Sequence, residues 1–256
     1  MNARFVALLV VVASVVSGPL RAETADQWVA KARAYLGSES ALGAVETIRF
    51  SGTLETRGTG PAAADKSQPE SGLEQLPIEI IFQKPYCQRM TVTRPASVDT
   101  VALDDYEAWS KTTGRENPAA SQVTLLDAQE IRQLRANTWE NLNFFAGIEK
   151  KGGPVELAGD VIVDGIACAK LSFIHSNRIV FHRYFDKATG RLVKTETANG
   201  SEIREEGEVV VNGVRFPRKV INRNATGQVA TIIFDSIVLN ERVPPGEFAV
   251  PSLSVL

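Results

Sequence analysis

The alternation of apolar and polar residues predicts β-strands along most of the chain. Ile48, Phe50 and Leu54 occupy every second position with Gly52 between them, which is the period of a half-buried strand. Turn signals such as Asn212-Gly213 separate the later strands. Those strands are predicted at 77–83, 86–93, 98–103, 106–110, 155–157, 166–175, 178–186, 191–197, 202–211, 215–222 and 228–239.

Two segments have a helical period instead. Thr24 and Gln27 have capping-box spacing ahead of an amphipathic stretch that Gly37 ends, so this segment is predicted to be an N-terminal helix. Asp127 and Glu130 repeat that spacing ahead of residues 128–146, which are predicted to form an amphipathic helix ending at Gly147. Its apolar stripe contains Ile131, Leu134, Thr138, Leu142 and Phe145.

Two further stretches belong to neither pattern. Residues 58–75 are rich in Gly, Ala, Pro, Ser and charge, which predicts a mobile loop. At the start of the chain, Arg4 precedes an apolar run at 5–16 and small residues near Ala22, the layout of a secretory signal peptide. A spanning helix needs about twenty apolar residues, so this run is too short for one. We expect a signal peptide at 1–22 and one soluble periplasmic domain at 23–256; an uncleaved tail is the alternative.

Composition excludes several classes of protein. An apolar fraction of 44% with a net charge of −2 is typical of a folded domain and not of a disordered chain. A pI near 5.9 without a basic block argues against binding to nucleic acid. Cys87 and Cys168 either form a disulfide, worth roughly 4–5 kcal/mol for a loop of this length, or remain buried free thiols.

The sequence contains no recognisable catalytic or metal-binding arrangement. His175 and His182 flank a predicted turn without a third partner, and no nucleophile or phosphate-loop motif occurs. The two Cys and two His match no zinc pattern. We therefore expect neither an enzyme nor a bound metal or cofactor.

The predicted strands pose a covering problem. About eleven antiparallel strands form a sheet that curls, and an open curled sheet must cover its apolar concave face. The two amphipathic helices are the candidates. They act either as a permanent plug, which gives a plain core, or as a removable lid, which gives a pocket for a hydrophobic ligand.

Several short motifs, in their order, resemble those of LolA-like periplasmic lipoprotein carriers, the superfamily that includes LolB and LppX. They are IFQKPY at 81–86, DDYEAW at 104–109, YFD at 184–186, GVRFP at 213–217 and FAVP at 248–251. The resemblance implies a mainly β fold: an open, curled antiparallel half-barrel of about eleven strands with an N-terminal helix and an inserted helical lid. It extends over nearly all of the chain from residue 23.

The resemblance also implies a function. It predicts a monomeric periplasmic carrier that binds the acyl chains of lipoproteins or another lipid and exchanges them with membrane donor and acceptor proteins. A sensor or interaction module that binds a partner protein on the same fold is the alternative. Lys84 stands where the carriers have a latch arginine, and it is either a lid latch or a solvated lysine of the turn. The residues expected to line the apolar cavity are Phe50, Leu54, Ile80, Phe82, Met90, Trp109, Ile131, Leu134, Leu142 and Phe145.

Overall fold

A computed structural model describes residues 23–57, 72–119 and 121–251. The predicted signal peptide and most of the predicted loop at 58–75 lie outside these residues. The helices are α1 (Ala25–Leu36), α2 (Glu39–Gly43) and α3 (Ala128–Asn143), with a 3₁₀ helix at Ile148–Lys151. The strands are β1 (Thr47–Arg57), β2 (Leu73–Gln83), β3 (Cys87–Thr93), β4 (Ser97–Asp104), β5 (Glu107–Gly114), β6 (Ser121–Leu125), β7 (Val155–Val163), β8 (Ile166–Ser176), β9 (Ile179–Asp186), β10 (Leu192–Thr197), β11 (Glu202–Glu206), β12 (Val209–Val211), β13 (Val214–Phe216), β14 (Lys219–Arg223) and β15 (Val229–Leu239).

The fold is mainly β, as the alternation predicted. One curled antiparallel sheet has the order β6-β5-β4-β3-β2-β1-β15-β14-β11-β10-β9-β8-β7 and does not close into a barrel. Strands β1 and β15 lie in its middle, whereas β6 and β7 are its two edges. Because β6 and β7 are consecutive along the chain, the connection between them, which contains α3, must run from one edge of the sheet to the other.

The concave face of the sheet carries most of the apolar core. Phe50 pairs with Ile80 on β2 and Ile237 on β15, and directly paired residues share one face. The largest core cluster joins this face to α2, α3 and β13. It contains Leu42, Val45, Ile48, Phe50, Phe82, Leu142, Phe144, Val214, Phe216, Phe234 and Leu239.

A second cluster covers the other wing of the sheet, the half that contains β8 and β9. Trp28 and Ala32 of α1 and Ala136 of α3 pack there against Phe173 of β8 and Phe185 of β9. The capping box predicted at Thr24 is present, and Gly37 caps the helix as expected. Thus α1 and α3 both cover the concave face.

The β12–β13 hairpin also covers the concave face, and the sequence pattern did not predict it. The predicted continuous strands at 202–211 and 215–222 are each interrupted. Gly207 adopts a positive φ of 65°, and Pro217 has no N–H to donate to a neighbouring strand. The short hairpin therefore leaves the main sheet and places Val214 and Phe216 in the largest core cluster.

Other element boundaries differ from the prediction. β2 begins at Leu73, so the last residues of the predicted loop are strand. α3 ends at Asn143 and not at residue 146, because Phe144 and Phe145 adopt positive φ values of 49° and 70°. α2 and β6 were not predicted, and the described residues contain more strands than the eleven expected.

In this structure the two cysteines are free thiols, of which Cys168 is buried and Cys87 only partly buried. Cys87 lies on β3 and Cys168 on β8, in opposite wings of the sheet. Burial, together with the nearby Asp104 carboxylate, raises the pKa of Cys87 to about 11. Among the described helices, none is both long and apolar enough to cross a membrane.

We expect Gly52→Ala to destabilise the fold. A Cβ atom on Gly52 would overlap the carbonyl oxygen of Ile233 at the register shift between β1 and β15. Forcing the two backbones apart costs about 1–3 kcal/mol, which lowers the melting temperature by several degrees. Thermal unfolding followed by circular dichroism measures the change. Gly43→Ala is the control, because a Cβ atom there meets nothing within 4 Å; equal melting temperatures for the two variants would contradict the steric explanation.

Candidate functional site

The candidate site is α3 together with the concave surface beneath it. The predicted capping box is present and fixes the N-terminus of α3. One carboxylate oxygen of Asp127 accepts hydrogen bonds from the backbone N–H groups of Gln129 (2.7 Å) and Glu130 (2.9 Å). The Glu130 carboxylate in turn accepts one from the Asp127 N–H at 2.8 Å. Local sequence thus determines where the helix begins after β6.

The C-terminal end of α3 is held by Arg33 of α1. The Arg33 guanidinium donates hydrogen bonds to the carbonyl oxygens of Asn143 and Phe144, each at 2.8 Å, and also pairs with Glu39. The last carbonyls of a helix have no partner within the helix and carry partial negative charge, so a cation there is favourable. This contact connects α3 directly to α1.

Lys84 lies elsewhere, and the residue that binds the carbonyl groups at the end of α3 is Arg33. The Lys84 ammonium group is 3.4 Å from a carboxylate oxygen of Glu46, next to the start of β1. The sequence motif identified Lys84 by its place before a proline. It carried no information about Arg33, which is distant along the chain and resembles a solvated helix residue.

A charged group lies buried between α3 and the sheet. Glu140 of α3 accepts hydrogen bonds from Arg183 Nη1 of β9 at 2.5 Å and from His175 Nε2 of β8 at 2.6 Å. The side chains of Glu140 and Arg183 are only 6% and 7% exposed. Burial alone would raise the pKa of Glu140, but Arg183 and His175 outweigh burial and lower it. The carboxylate is therefore ionised and paired inside the protein.

Two further polar contacts attach the same helix. Thr138 donates a buried hydrogen bond to the side-chain carbonyl of Gln88 on β3, at 3.1 Å. Arg135 is bound to Asp105, and its guanidinium lies 3.9 Å from the ring centres of both Tyr86 and Tyr106. From Arg135 to its last turn, α3 is held to the rest of the protein by hydrogen bonds and charge as well as by apolar contacts.

The residues predicted to line a cavity are distributed over several environments. Phe50, Phe82 and Leu142 come together in the largest cluster. Phe145 packs against Phe173 and Phe185 in the second cluster, at centroid distances of 6.2 and 5.2 Å. A small third cluster takes in Leu54, Ile80 and Met90.

The remaining three lie apart from these groups. Trp109 is buried and donates a hydrogen bond to the Phe248 carbonyl at 2.9 Å. Ile131 and Leu134 are partly exposed and belong to none of the core clusters. Where a hollow was expected, the described side chains beneath α3 are thus largely packed against one another.

Two cavities adjoin the covering elements. One, of about 160 Å³, lies against α3 and is lined by Tyr86, Arg132, Arg135, Trp139, Lys151 and His175 among others. The other, of about 280 Å³, lies between the end of α1, β10, β11 and the β12–β13 hairpin, and Glu205 lines it. Burial raises the pKa of Glu205, partly opposed by Arg183. Both cavities are bordered by charged groups.

Three solved structures share this fold at low sequence identity. A LolA superfamily protein from Nitrosomonas europaea has a TM-score of 0.56 at 14% identity, over 90% of this chain and 99% of that chain. A DUF1329 family protein from Desulfovibrio piger has a TM-score of 0.58 at 11% identity, over 88% and 97% of the two chains. A domain from Vibrio parahaemolyticus, assigned as an outer membrane lipoprotein-sorting protein, has a TM-score of 0.55 at 12% identity, over 88% and 97%.

These likenesses confirm the predicted LolA-like fold. At such identities they establish the fold alone. No family model matches the sequence, and no curated protein matches it significantly.

We expect the Glu140–Arg183 pair to show strong energetic coupling. Glu140→Leu leaves the Arg183 charge buried without its partner, and Arg183→Met does the same to Glu140, so each single change costs about 3–5 kcal/mol. The double variant loses much less than the sum, because neither charge remains. Urea unfolding of the four proteins gives the coupling free energy. Additive losses would show that the two groups act independently.

We also expect the stabilisation from Glu140 to depend on pH. The pKa of Glu140 is lower in the folded protein than its usual value, so its contribution is complete above that usual value and is lost as the pH falls through the folded pKa. The free energy of unfolding of the native protein, minus that of Glu140→Gln, should therefore decrease below about pH 4. Glu205 is common to both proteins and cancels. A difference that grows on acidification would contradict the assignment.

Proposed function

We propose that the protein is a periplasmic carrier that binds the acyl chains of lipoproteins or other lipids on its concave face when α3 moves away. The observation that carries this proposal is the mode of attachment of α3, which lies over an apolar surface but is held to it by buried polar contacts as well as by apolar ones. The proposed activity needs no bond-making chemistry, because burial of the chains is sufficient.

Polar attachment favours a lid over a plug. When α3 lifts, water can hydrate Glu140, Arg183, Thr138 and Gln88, and it can replace the hydrogen bonds that these groups lose. The net value of an ordinary hydrogen bond is only about 0.5–1.5 kcal/mol for this reason. A purely apolar attachment over the same area would have no such replacement from water.

The surface beneath α3 is suited to acyl chains. Phe50, Phe216 and Phe234 form an aromatic group there, with ring centroids 4.7–5.8 Å from Phe50, and Leu142 and Phe144 cover it from the α3 side. An acyl chain that replaced those two side chains would gain about 0.8 kcal/mol for each methylene removed from water. Ten methylenes correspond to roughly 8 kcal/mol, and this free energy acts against the cost of lifting the helix.

The structural likenesses support the proposal at the level of the fold. Lipoprotein sorting is the role given to the Vibrio domain, and the shared architecture makes the same class of cargo reasonable for this chain. The expected signal peptide would place the protein in the compartment where such cargo crosses water. We extend the proposal to lipids in general, because burial of methylenes does not discriminate among the molecules that carry them.

We expect Arg33→Met to strengthen binding of an apolar probe. The variant removes two charge-assisted hydrogen bonds to the end of α3, which lowers the free energy of opening by about 1.5–3 kcal/mol. A larger open population raises the apparent affinity by the same factor, roughly tenfold or more. Titration with N-phenyl-1-naphthylamine, followed by its fluorescence, measures the affinity.

Arg49→Met is the matched control for this experiment. Arg49 is also a partly buried arginine paired with two carboxylates, Glu79 and Glu241, but it alternates with Phe50 and so lies on the opposite face of the sheet. We expect unchanged probe affinity there. Failure of both the native protein and Arg33→Met to bind the probe, with lipid-free protein recovered from the periplasm by extraction and mass spectrometry, would overturn the carrier proposal in favour of an interaction module.

A further inference from the structure

The cavity against α3 differs in chemistry from the apolar surface proposed to hold acyl chains. Arg132, Arg135 and Lys151 line it, together with His175, and none of its lining residues is an aspartate or a glutamate. Its volume of about 160 Å³ is several times the roughly 30 Å³ that one water molecule occupies. The cavity therefore has room for a small polyatomic group in a positively charged setting.

Two of its three permanent cations are free to bind a ligand. Arg135 is already bound to Asp105. In contrast, neither Arg132 nor Lys151 forms an ion pair with any described residue. Arg132 donates one hydrogen bond, to the Gln129 side chain at 3.1 Å, and the Lys151 ammonium lies 5.3–5.7 Å from the ring centres of Trp139 and Tyr86. Most of the donors of Arg132 and Lys151 therefore remain available.

The walls of the cavity add aromatic and aliphatic side chains beside these charges. Tyr86 and Trp139 are stacked with their centroids 5.7 Å apart, and the buried Ile148 and Ile179 also line the space. Asp105 and Glu140, the nearest carboxylates bound to lining residues, are already paired with Arg135 and with Arg183 and His175. The unpaired charge facing the cavity is thus positive.

We infer that this cavity binds an anionic group, a phosphate or a carboxylate, between Arg132 of α3 and Lys151 of the 3₁₀ helix. The cations supply charge-assisted hydrogen bonds, which are about twice as strong as neutral ones. Trp139, Ile148 and Ile179 line the same cavity and provide contacts for the apolar part of the molecule that carries the anion. The inference does not depend on the carrier proposal, since it concerns a different surface and a different chemistry.

Occupation of the cavity would have a structural consequence for α3. Arg132, Arg135 and Trp139 belong to α3, whereas Lys151 follows it and His175 lies at the end of β8. An anion bound between these elements joins α3 to its surroundings and stabilises the closed position. Such a ligand therefore opposes the opening that acyl-chain binding requires.

The indole N–H resonance of Trp139 provides a local readout. The protein contains three tryptophans, so ¹H–¹⁵N spectra show few indole signals, and Trp139→Phe assigns the relevant one. We expect titration with sodium phosphate, and separately with sodium hexanoate, to shift this resonance saturably. The double variant Arg132→Gln/Lys151→Gln should weaken binding about tenfold or more. Since both residues are exposed, the variant should fold normally.

Lys150→Gln is the matched control, because Lys150 belongs to the same 3₁₀ helix but does not line the cavity. It should bind as the native protein does. If Lys150→Gln lost as much affinity as the double variant, the effect would come from general surface charge, and the inference would be overturned. So would the absence of a saturable shift with both anions.

The source of the anion is distinguished by co-sedimentation with vesicles. Binding to phosphatidylglycerol vesicles but not to phosphatidylcholine vesicles, abolished in the double variant and retained in Lys150→Gln, identifies a lipid headgroup. Saturation by free phosphate or hexanoate without vesicle binding identifies a soluble ligand. Either result supports the anion site, and neither bears on whether the apolar probe binds the concave face.

Discussion

The buried pairing of Glu140 with Arg183 determines how the two wings of the sheet are joined. The chain leaves the sheet at β6, one edge, and re-enters it at β7, the other edge, so α3 must cross the concave face. A buried ion pair adds little net stability, because both charges lose their hydration. It does penalise every placement of α3 that leaves either charge alone. The pair therefore specifies the position of the helix more than it strengthens the fold.

Features that depend on nearby residues were predictable. Both capping boxes are present where their spacing indicated, and the alternation around Phe50 identified the inner face of β1. The failures depend on distant contacts. The β12–β13 hairpin leaves the sheet because Gly207 and Pro217 interrupt the strands. The position that the hairpin then takes depends on its packing against the core. Short elements such as α2 lack enough residues to establish a period.

The polar contacts of the site were harder to predict than the apolar ones, although the sequence of β9 contained one signal. Phe181, Arg183 and Phe185 occupy alternate positions of a strand, so an arginine shares its face with two buried aromatic residues. An arginine at such a position predicts a buried aspartate or glutamate as its partner, but the sequence does not identify which residue that is. Glu140 lies on a helix that also carries the exposed charged residues Glu130 and Arg132. The contact made by Arg33 could not be predicted either, because the carbonyl groups that it binds are available only where α3 ends.

The contrast between α1 and α3 supports the proposal that α3, and not α1, is the helix that moves. The buried residues of α1 are Trp28 and Ala32, both apolar, whereas those of α3 are Ala136, Thr138, Glu140 and Leu142, half of them polar. Withdrawing α1 exposes a large aromatic side chain that water does not solvate well. Withdrawing α3 exposes the apolar Leu142 too, but it also exposes Thr138 and Glu140, which water solvates readily, and it leaves Arg33 of α1 facing water. Under the proposed function, α1 is therefore a plug and α3 a lid over the same sheet, and Arg33 lies at the boundary between them.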